Sequence, residues 1–142
     1  MKKLLNIARL LFKNYSPLRI YQIIECDKFF LNGQSLEFGA SADYKKNFST
    51  FVNGTSKFHY SNLSNLKNKK IIALDLTKKL KIKSNQYNNV LIFNVLEHIS
   101  DHTIGFKELK RILKKNGNLF GSTPFLYQVH GAPKDYYRFT KE

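Results

Sequence analysis

A chain of 142 residues is long enough for one hydrophobic core and too short for two ordinary domains. An apolar fraction of 42% and an aromatic fraction of 14% exclude disorder of the whole chain. The single cysteine, Cys26, excludes an internal disulfide and makes a reduced, cytoplasmic setting the expectation.

The formal net charge of +14 raises the question of an anionic partner. The excess is Lys scattered among Asn and Ile, in runs such as "LKNKK", "TKKLKIK" and "LKKNGN". That is a pattern of solvated positions rather than one basic face, so no specific nucleic acid is expected. An RNA-binding module is the alternative that the charge motivates.

In chain order, "MKKLLNIARLLFKN" has a basic head and a Leu-rich body, interrupted by Asn6 and Arg9 and followed by no small-residue cleavage site, so a secretory signal is not expected. It reads as an amphipathic helix, packed on its own domain or in peripheral contact with a membrane surface. No window reaches the ~20 apolar residues of a membrane span. Ser16-Pro17 predicts a helix start, a capping side chain followed by a residue whose missing donor costs nothing at the first helical position. That helix is expected to run to Gly33, giving an N-terminal helical segment over 1–33 and a main domain over 34–142.

"SLEFG", Ser35 to Gly39, predicts a strand, and a helix is expected from Tyr44 to Val52, stopped by Asn53-Gly54. "KFHYSNL" and "KIIALDL" predict two further strands. The stretch "NVLIFNVLEHISDH", Asn89 to His102, begins as an apolar run too short for a periodic helix and breaks into Glu97, His98, Asp101 and His102. Such a run predicts a buried parallel strand, with its polar ending at the carboxyl edge where open α/β sheets bind ligands.

"TIGFKELKRILKKNG" then places Ile104, Phe106, Leu109, Ile112 and Leu113 on one helical stripe, with Asp101 or Ser100 as cap and Gly117 as stop. "NLFGSTPF" predicts a fifth strand. Alternating strands and helices imply an α/β domain, a parallel sheet with helices on its faces.

With these elements placed, the residues resemble the class I methyltransferases that use S-adenosylmethionine, and within them the methyltransferase type 11 group. "VLIFNVLEHISDHTIGFKELKRILKKNGNLFGSTPF" is similar to that family's fourth strand, following helix and fifth strand, with "LEH" after the strand and "LKKNG" in place of an "LKPGG"-like helix end. The tail "HGAPKDYYRFT" resembles a His-x-x-Pro-x-Asp-Tyr-x-Arg-Phe-Thr motif of members thought to act in surface-polysaccharide and related pathways. "LEFGASADY" stands where the family has an acidic residue and a glycine-rich turn; Ser41 and Asp43 replace the usual later glycines.

The resemblance implies a Rossmann-like three-layer sandwich with strand order 3-2-1-4-5, lacking the usual final strands. The chain is therefore expected to be incomplete at its C-terminus, either an inactive remnant or a domain whose open sheet edge associates as a homo-oligomer. It implies S-adenosylmethionine as cofactor, held by Glu37, Gly39, Ala40, Ser41, Asn62, Asp75, Phe93 and Asn94. The implied reaction is methyl transfer to a small molecule, a sugar hydroxyl being the acceptor that the tail suggests; with the net charge, an RNA methyltransferase is the alternative. His130, Asp135, Tyr137 and Arg138 are the acceptor-side candidates.

His98 is the candidate general base, since an imidazole with an ordinary pKa near ~6.5 suits proton transfer at neutral pH. No metal is expected, because His98, His102, His130, Glu97 and Asp101 lack a known ligand spacing. "FGSTP" is not the Gly-x-Ser-x-Gly of a serine nucleophile.

Overall fold

The computed structural model describes residues 10–11, 15–64, 68, 70–125, 127–129 and 134–139. The expected N-terminal amphipathic helix, His130 and the terminal Thr140-Lys141-Glu142 lie mostly or wholly outside that set. The elements are α1 (Pro17–Cys26), β1 (Phe30–Leu31), β2 (Gln34–Phe38), β3 (Asn53–Gly54), β4 (Lys57–Asn62), β5 (Ile71–Ala73), β6 (Tyr87–Phe93), α2 (His102–Ile112) and β7 (Leu113–Ser122). β2, β4, β5, β6 and β7 form one parallel sheet in the order β5-β4-β2-β6-β7. Counted from the first strand of that sheet, this is the expected order 3-2-1-4-5. β1 and β3 form a separate two-stranded parallel pair.

The two-residue period of the central strands sorts their side chains into two cores. Leu36 and Phe38 of β2 and Val90 and Ile92 of β6 join Leu109 and Ile112 of α2 on one face. Leu91 and Phe93 of β6 join Cys26 of α1, Leu31 and Phe48 on the other. These are the three layers. Burial, with the nearby Glu37 charge adding to it, pushes the Cys26 thiol up to about 12, so it packs as a small apolar group and is no nucleophile. Among the described residues no helix is long and apolar enough to cross a membrane.

Several expected boundaries move. α1 starts as expected, with the Ser16 hydroxyl accepting from Arg19 N at 3.2 Å and Pro17 in the first turn, but ends at Cys26 rather than Gly33. The following residues leave the helix because Phe30 and Leu31 pair with Asn53 and Gly54, and Leu31 is buried. Tyr44 to Val52 is two short 3₁₀ turns, Tyr44–Lys46 and Phe48–Phe51, rather than one helix. The Glu37 carboxylate accepts from Phe48 N and Ser49 N, so these amides are bonded to β2 instead of continuing a helix.

α2 has its cap in Asp101, which accepts from Thr103 N at 2.8 Å. It ends at Ile112, before Gly117, because Leu113 already pairs with Tyr87 in the sheet. Its buried stripe is Gly105, Glu108, Leu109 and Ile112; Ile104 and Phe106, expected inside, are exposed.

Glu108 on that stripe clamps α2 to the turn after β5. Its Oε2 accepts from Leu80 N at 2.8 Å and from Arg111 Nη2, and its Oε1 accepts from Arg111 Nε at 2.8 Å. Arg111 in turn donates to the carbonyls of Ile82 and Leu80. The hydrogen bonds from Arg111 are the main reason that the Glu108 carboxyl is held at about 2, below its ordinary 4.5. A depressed carboxyl stabilises the fold fully above the unfolded value, and this contribution is lost as pH falls toward about 2. The melting temperature should therefore drop between about pH 4.5 and about pH 2. Glu108→Ala should remove that part of the slope and cost about 2 kcal/mol at pH 7, through the orphaned Leu80 amide. An unchanged acid slope in the variant would assign the slope to other groups.

Candidate functional site

At the carboxyl edge of the sheet, β2 and β6 end in residues with left-handed backbone. Gly39 has φ +71° and Asn94 φ +55°. The sharp turn at Gly39 brings a would-be Cβ to 2.7 Å from Val95 Cγ2, so glycine is favoured both by conformation and by space. Asn tolerates this backbone region better than most residues. Asn94 is held there by a paired amide contact with Gln22 of α1: Gln22 Nε2 donates to Asn94 Oδ1 at 2.7 Å, and Asn94 Nδ2 donates back at 3.2 Å. Gln22 Nε2 also donates to Ser122 Oγ at 2.7 Å, which joins α1, β6 and β7 at one point.

Gly39 and Asn94 form a crest with a hollow on either side. The first, of about 450 Å³, lies over β4 and β5 and is lined by Gly39, Asn62, Asp75, Asn94 and His98, with apolar walls from Phe38, Leu74, Val95 and Ile99. The second, of about 410 Å³, lies toward α1 and is lined by Arg19, Glu37, Gly39, Ser41, Lys46, Phe48, Phe93 and Asn94. A smaller one of about 230 Å³ lies between them, where Arg19, Gln22, Asn94, Glu97 and His98 meet.

The eight residues expected at the cofactor are thus divided. Gly39, Asn62, Asp75 and Asn94 surround the first hollow. Glu37, Ser41 and Phe93 line the second, because Glu37 alternates with Phe38 to the opposite face of the sheet. Ala40 is fully buried and contributes its backbone: its N–H donates to Ser61 O at 2.9 Å and its carbonyl accepts from Asn62 Nδ2 at 2.9 Å. Phe93 is core, stacked on Phe48 with centroids 4.2 Å apart.

Glu37 is 2% exposed, with oxygens 2.7 Å from Phe48 N and 2.9 Å from Ser49 N. Desolvation raises its pKa, and the bonds to Ser49 and Phe48 and the Arg19 charge work against that. Asp75 closes a turn, its Oδ1 accepting from Thr77 N at 2.9 Å and Thr77 Oγ1 at 2.6 Å, while Oδ2 faces Lys78 Nζ at 3.1 Å. These bonds, the Thr77 hydroxyl first, lower its pKa and keep it a carboxylate at the rim.

His98 sits on the short turn Leu96–His98 after β6 and borders both the first hollow and the small middle one. Its Nδ1 is 3.0 Å from the carbonyl of Lys134. A carbonyl can accept and never donate, so Nδ1 carries the proton and the neutral ring holds its lone pair on Nε2. The tail segment supplies further contacts to the same turn: Tyr136 N donates to Glu97 O at 2.8 Å and Tyr137 Oη to Ser100 O at 2.7 Å. His102 packs against Tyr137 and Phe139, with ring centroids 4.8 and 5.2 Å away.

Arg138 is turned inward, in a double ion pair with Asp135 and donating to the Tyr137 carbonyl at 2.9 Å. Of the expected acceptor-side group, Asp135 and Arg138 thus pair with each other and Tyr137 bonds to the Ser100 carbonyl, while His130 lies outside the described residues. Sequence reading missed Arg19 and Gln22, although a signal existed. From the Ser16-Pro17 start, Arg19, Gln22, Ile23 and Cys26 form an i, i+3, i+4, i+7 stripe, and polar residues at the top of a buried stripe mark a site edge.

A family profile described as a methyltransferase domain matches residues 41–121, more than half of the chain. The chain belongs to the methyltransferase-domain family. Comparison with curated proteins finds no match. Among solved structures, a protein of Methanococcus maripaludis assigned to the S-adenosyl-L-methionine-dependent methyltransferases is 16% identical, with a TM-score of 0.53, over 71% of this chain and 55% of that one. At this identity the likeness concerns the fold.

Similar too are the trans-methyltransferase CalH in complex with SAH, 18% identical over 74% of this chain and 34% of that one with a TM-score of 0.47, and a SAM-dependent methyltransferase of Aquifex aeolicus, 16% identical over 75% and 66% with a TM-score of 0.48. This methyltransferase domain spans about half the length of the first of these structures. The matched residues run from Ser41 just past the crest through β7, and so include Asn62, Asp75, Asn94 and His98.

Proposed function

We propose that this methyltransferase domain transfers a methyl group from S-adenosylmethionine to a hydroxyl of a small-molecule acceptor, a sugar hydroxyl being the class favoured by the tail motif. The observation that carries the reading is the hollow at the carboxyl edge of the sheet, where Gly39, Asn62, Asp75, Asn94 and His98 converge in a chain of this family. Its residues suit the cofactor chemically. An ionised Asp75 and the Asn62 amide offer partners for ribose hydroxyls and the adenine amino group, apolar walls suit a purine, and Gly39 allows a close approach to backbone.

Held by Gly39, Asn62, Asp75 and Asn94, the cofactor would supply an electrophilic methyl group on a sulfonium sulfur that leaves as a neutral thioether. The chain's own residues mainly align the partners and take one proton. His98 Nε2, bearing the lone pair, accepts the hydroxyl proton of the acceptor, while the Lys134 carbonyl holds the ring and stabilises the imidazolium by accepting from Nδ1–H. The Gln22–Asn94 amide pair holds the crest between the two partners.

Isothermal calorimetry of the purified chain with S-adenosylmethionine and S-adenosylhomocysteine tests this reading. One-site binding to both, weakened in Asp75→Ala, is expected. No heat with either would leave a non-catalytic remnant of the family as the better account.

A further inference from the structure

A second feature of the edge has no part in holding adenosine or moving the proton. Arg19, on the first turn of α1, borders both the middle hollow that contains His98 and the hollow beyond the crest. Its guanidinium carbon lies 3.5 Å from the centroid of the Phe48 ring, and Phe48 is stacked in turn on Phe93. The cation therefore rests on a column of two aromatic rings. Its fork of N–H donors is largely unspent: among the described residues Nη2 donates to the Lys46 carbonyl, and no other side-chain bond is made.

Glu37, the buried acid nearest in charge, is already bonded to the Phe48 and Ser49 amides. Lys46 adds a second cation to the same lining, and its own contact is a loose 4.0 Å approach to Asp43 at the surface. A planar, pre-positioned guanidinium with open donors, facing a hollow and backed by a second cation, suits bidentate recognition of a compact anion.

We propose that Arg19, with Lys46, is a receptor for a carboxylate or phosphate beside the crest, a site that rests on the methyl-transfer reading for its purpose and not for its geometry. Two molecules could present that anion. One is the cofactor, through the carboxylate of its amino-acid end; the other is the acceptor, which would then be an anionic molecule with its hydroxyl at His98 and its charge at Arg19.

Calorimetric titration of the full chain and of Arg19→Met distinguishes them. The probes are S-adenosylhomocysteine, 5′-methylthioadenosine, which lacks the amino-acid carboxylate, and inorganic phosphate added to the S-adenosylhomocysteine-saturated protein. If the cofactor supplies the anion, Arg19→Met weakens S-adenosylhomocysteine by about tenfold or more and leaves 5′-methylthioadenosine unchanged. If the acceptor does, both nucleosides bind the variant as they bind the wild type, and phosphate binds the saturated wild type and not the variant.

Identical behaviour of the folded variant and the wild type with all three probes overturns the proposal. Should Arg19→Met fail to fold, Arg19→Lys serves instead: it keeps the charge, loses the fork, and should still weaken whichever anion is held. Should the wild type bind neither nucleoside, the methyl-transfer reading fails by itself. Phosphate titration of the free chain against the Arg19 variant then still decides the anion site.

Discussion

Gly39→Asp is expected to weaken S-adenosylhomocysteine binding by about a hundredfold or more, while the chain still folds. Aspartate is chosen because it is among the residues that best tolerate a left-handed backbone, so the damage is reported by the site and not by the sheet. The new Cβ would stand 2.7 Å from Val95 Cγ2, and Val95 lines the same hollow, so making room deforms the wall on which the cofactor would lie. The added carboxylate also projects from the crest that separates the two hollows, beside Asn94. The deformed wall and the carboxylate placed beside the cofactor together are expected to cost about 2.7 kcal/mol of binding, two decades in affinity. Gly39→Ala should show a smaller loss from the same Cβ contact. Wild-type affinity in a folded Gly39→Asp chain would remove the crest from the cofactor site altogether.

The central strands were legible from sequence because their burial leaves a mark that little else produces. "NVLIF" has no polar face to spare, and Val90, Leu91 and Ile92 are each at most 1% exposed, packed on both sides by different layers. The caps were legible for a similar reason: Ser16 and Asp101 bond to amides within three residues of themselves, so their chemistry is local. Where the deciding partner is distant, the sequence carries no local trace of it. Nothing in "YKKNFSTFV" announces that Glu37, on another element, will accept from Phe48 and Ser49 and so divide the segment into two short turns.

The same distinction explains the site. Gly39, Asn62, Asp75, Asn94 and His98 all stand at or just past strand ends, and a parallel sheet gathers its carboxyl ends at one edge, so knowing the strands is enough to bring them together. Whether a residue there faces one hollow or the other depends on strand parity, which places Glu37 and Phe93 across the crest from Phe38 and Ile92. The inward turn of Arg138 was the least legible feature. It follows from Asp135 three residues before it and from the carbonyls of Tyr127 and Gln128, a loop whose path no periodicity describes.

The second large effect is expected at His98. His98→Ala should lower methyl transfer by ~10²–10⁴-fold while S-adenosylhomocysteine affinity stays within about twofold, because a base acts on the acceptor and not on the cofactor. The geometry narrows which ring atom is involved. Since Nδ1 donates to the Lys134 carbonyl, the lone pair of the neutral ring is on Nε2, the atom that would take the proton, 3.8 Å from Glu97 Oε1. His98→Gln provides the control: its amide can keep a hydrogen bond to Lys134 but cannot accept the proton, so it should be as slow as alanine while melting closer to the wild type.

Turnover is read as S-adenosylhomocysteine released in the presence of a small-molecule extract that contains the acceptor. A fall in cofactor affinity equal to the fall in rate, or a glutamine variant as active as histidine, would make His98 a structural link between the Leu96–His98 turn and the 134–139 segment. The proton would then have to leave by way of solvent at the mouth of the middle hollow.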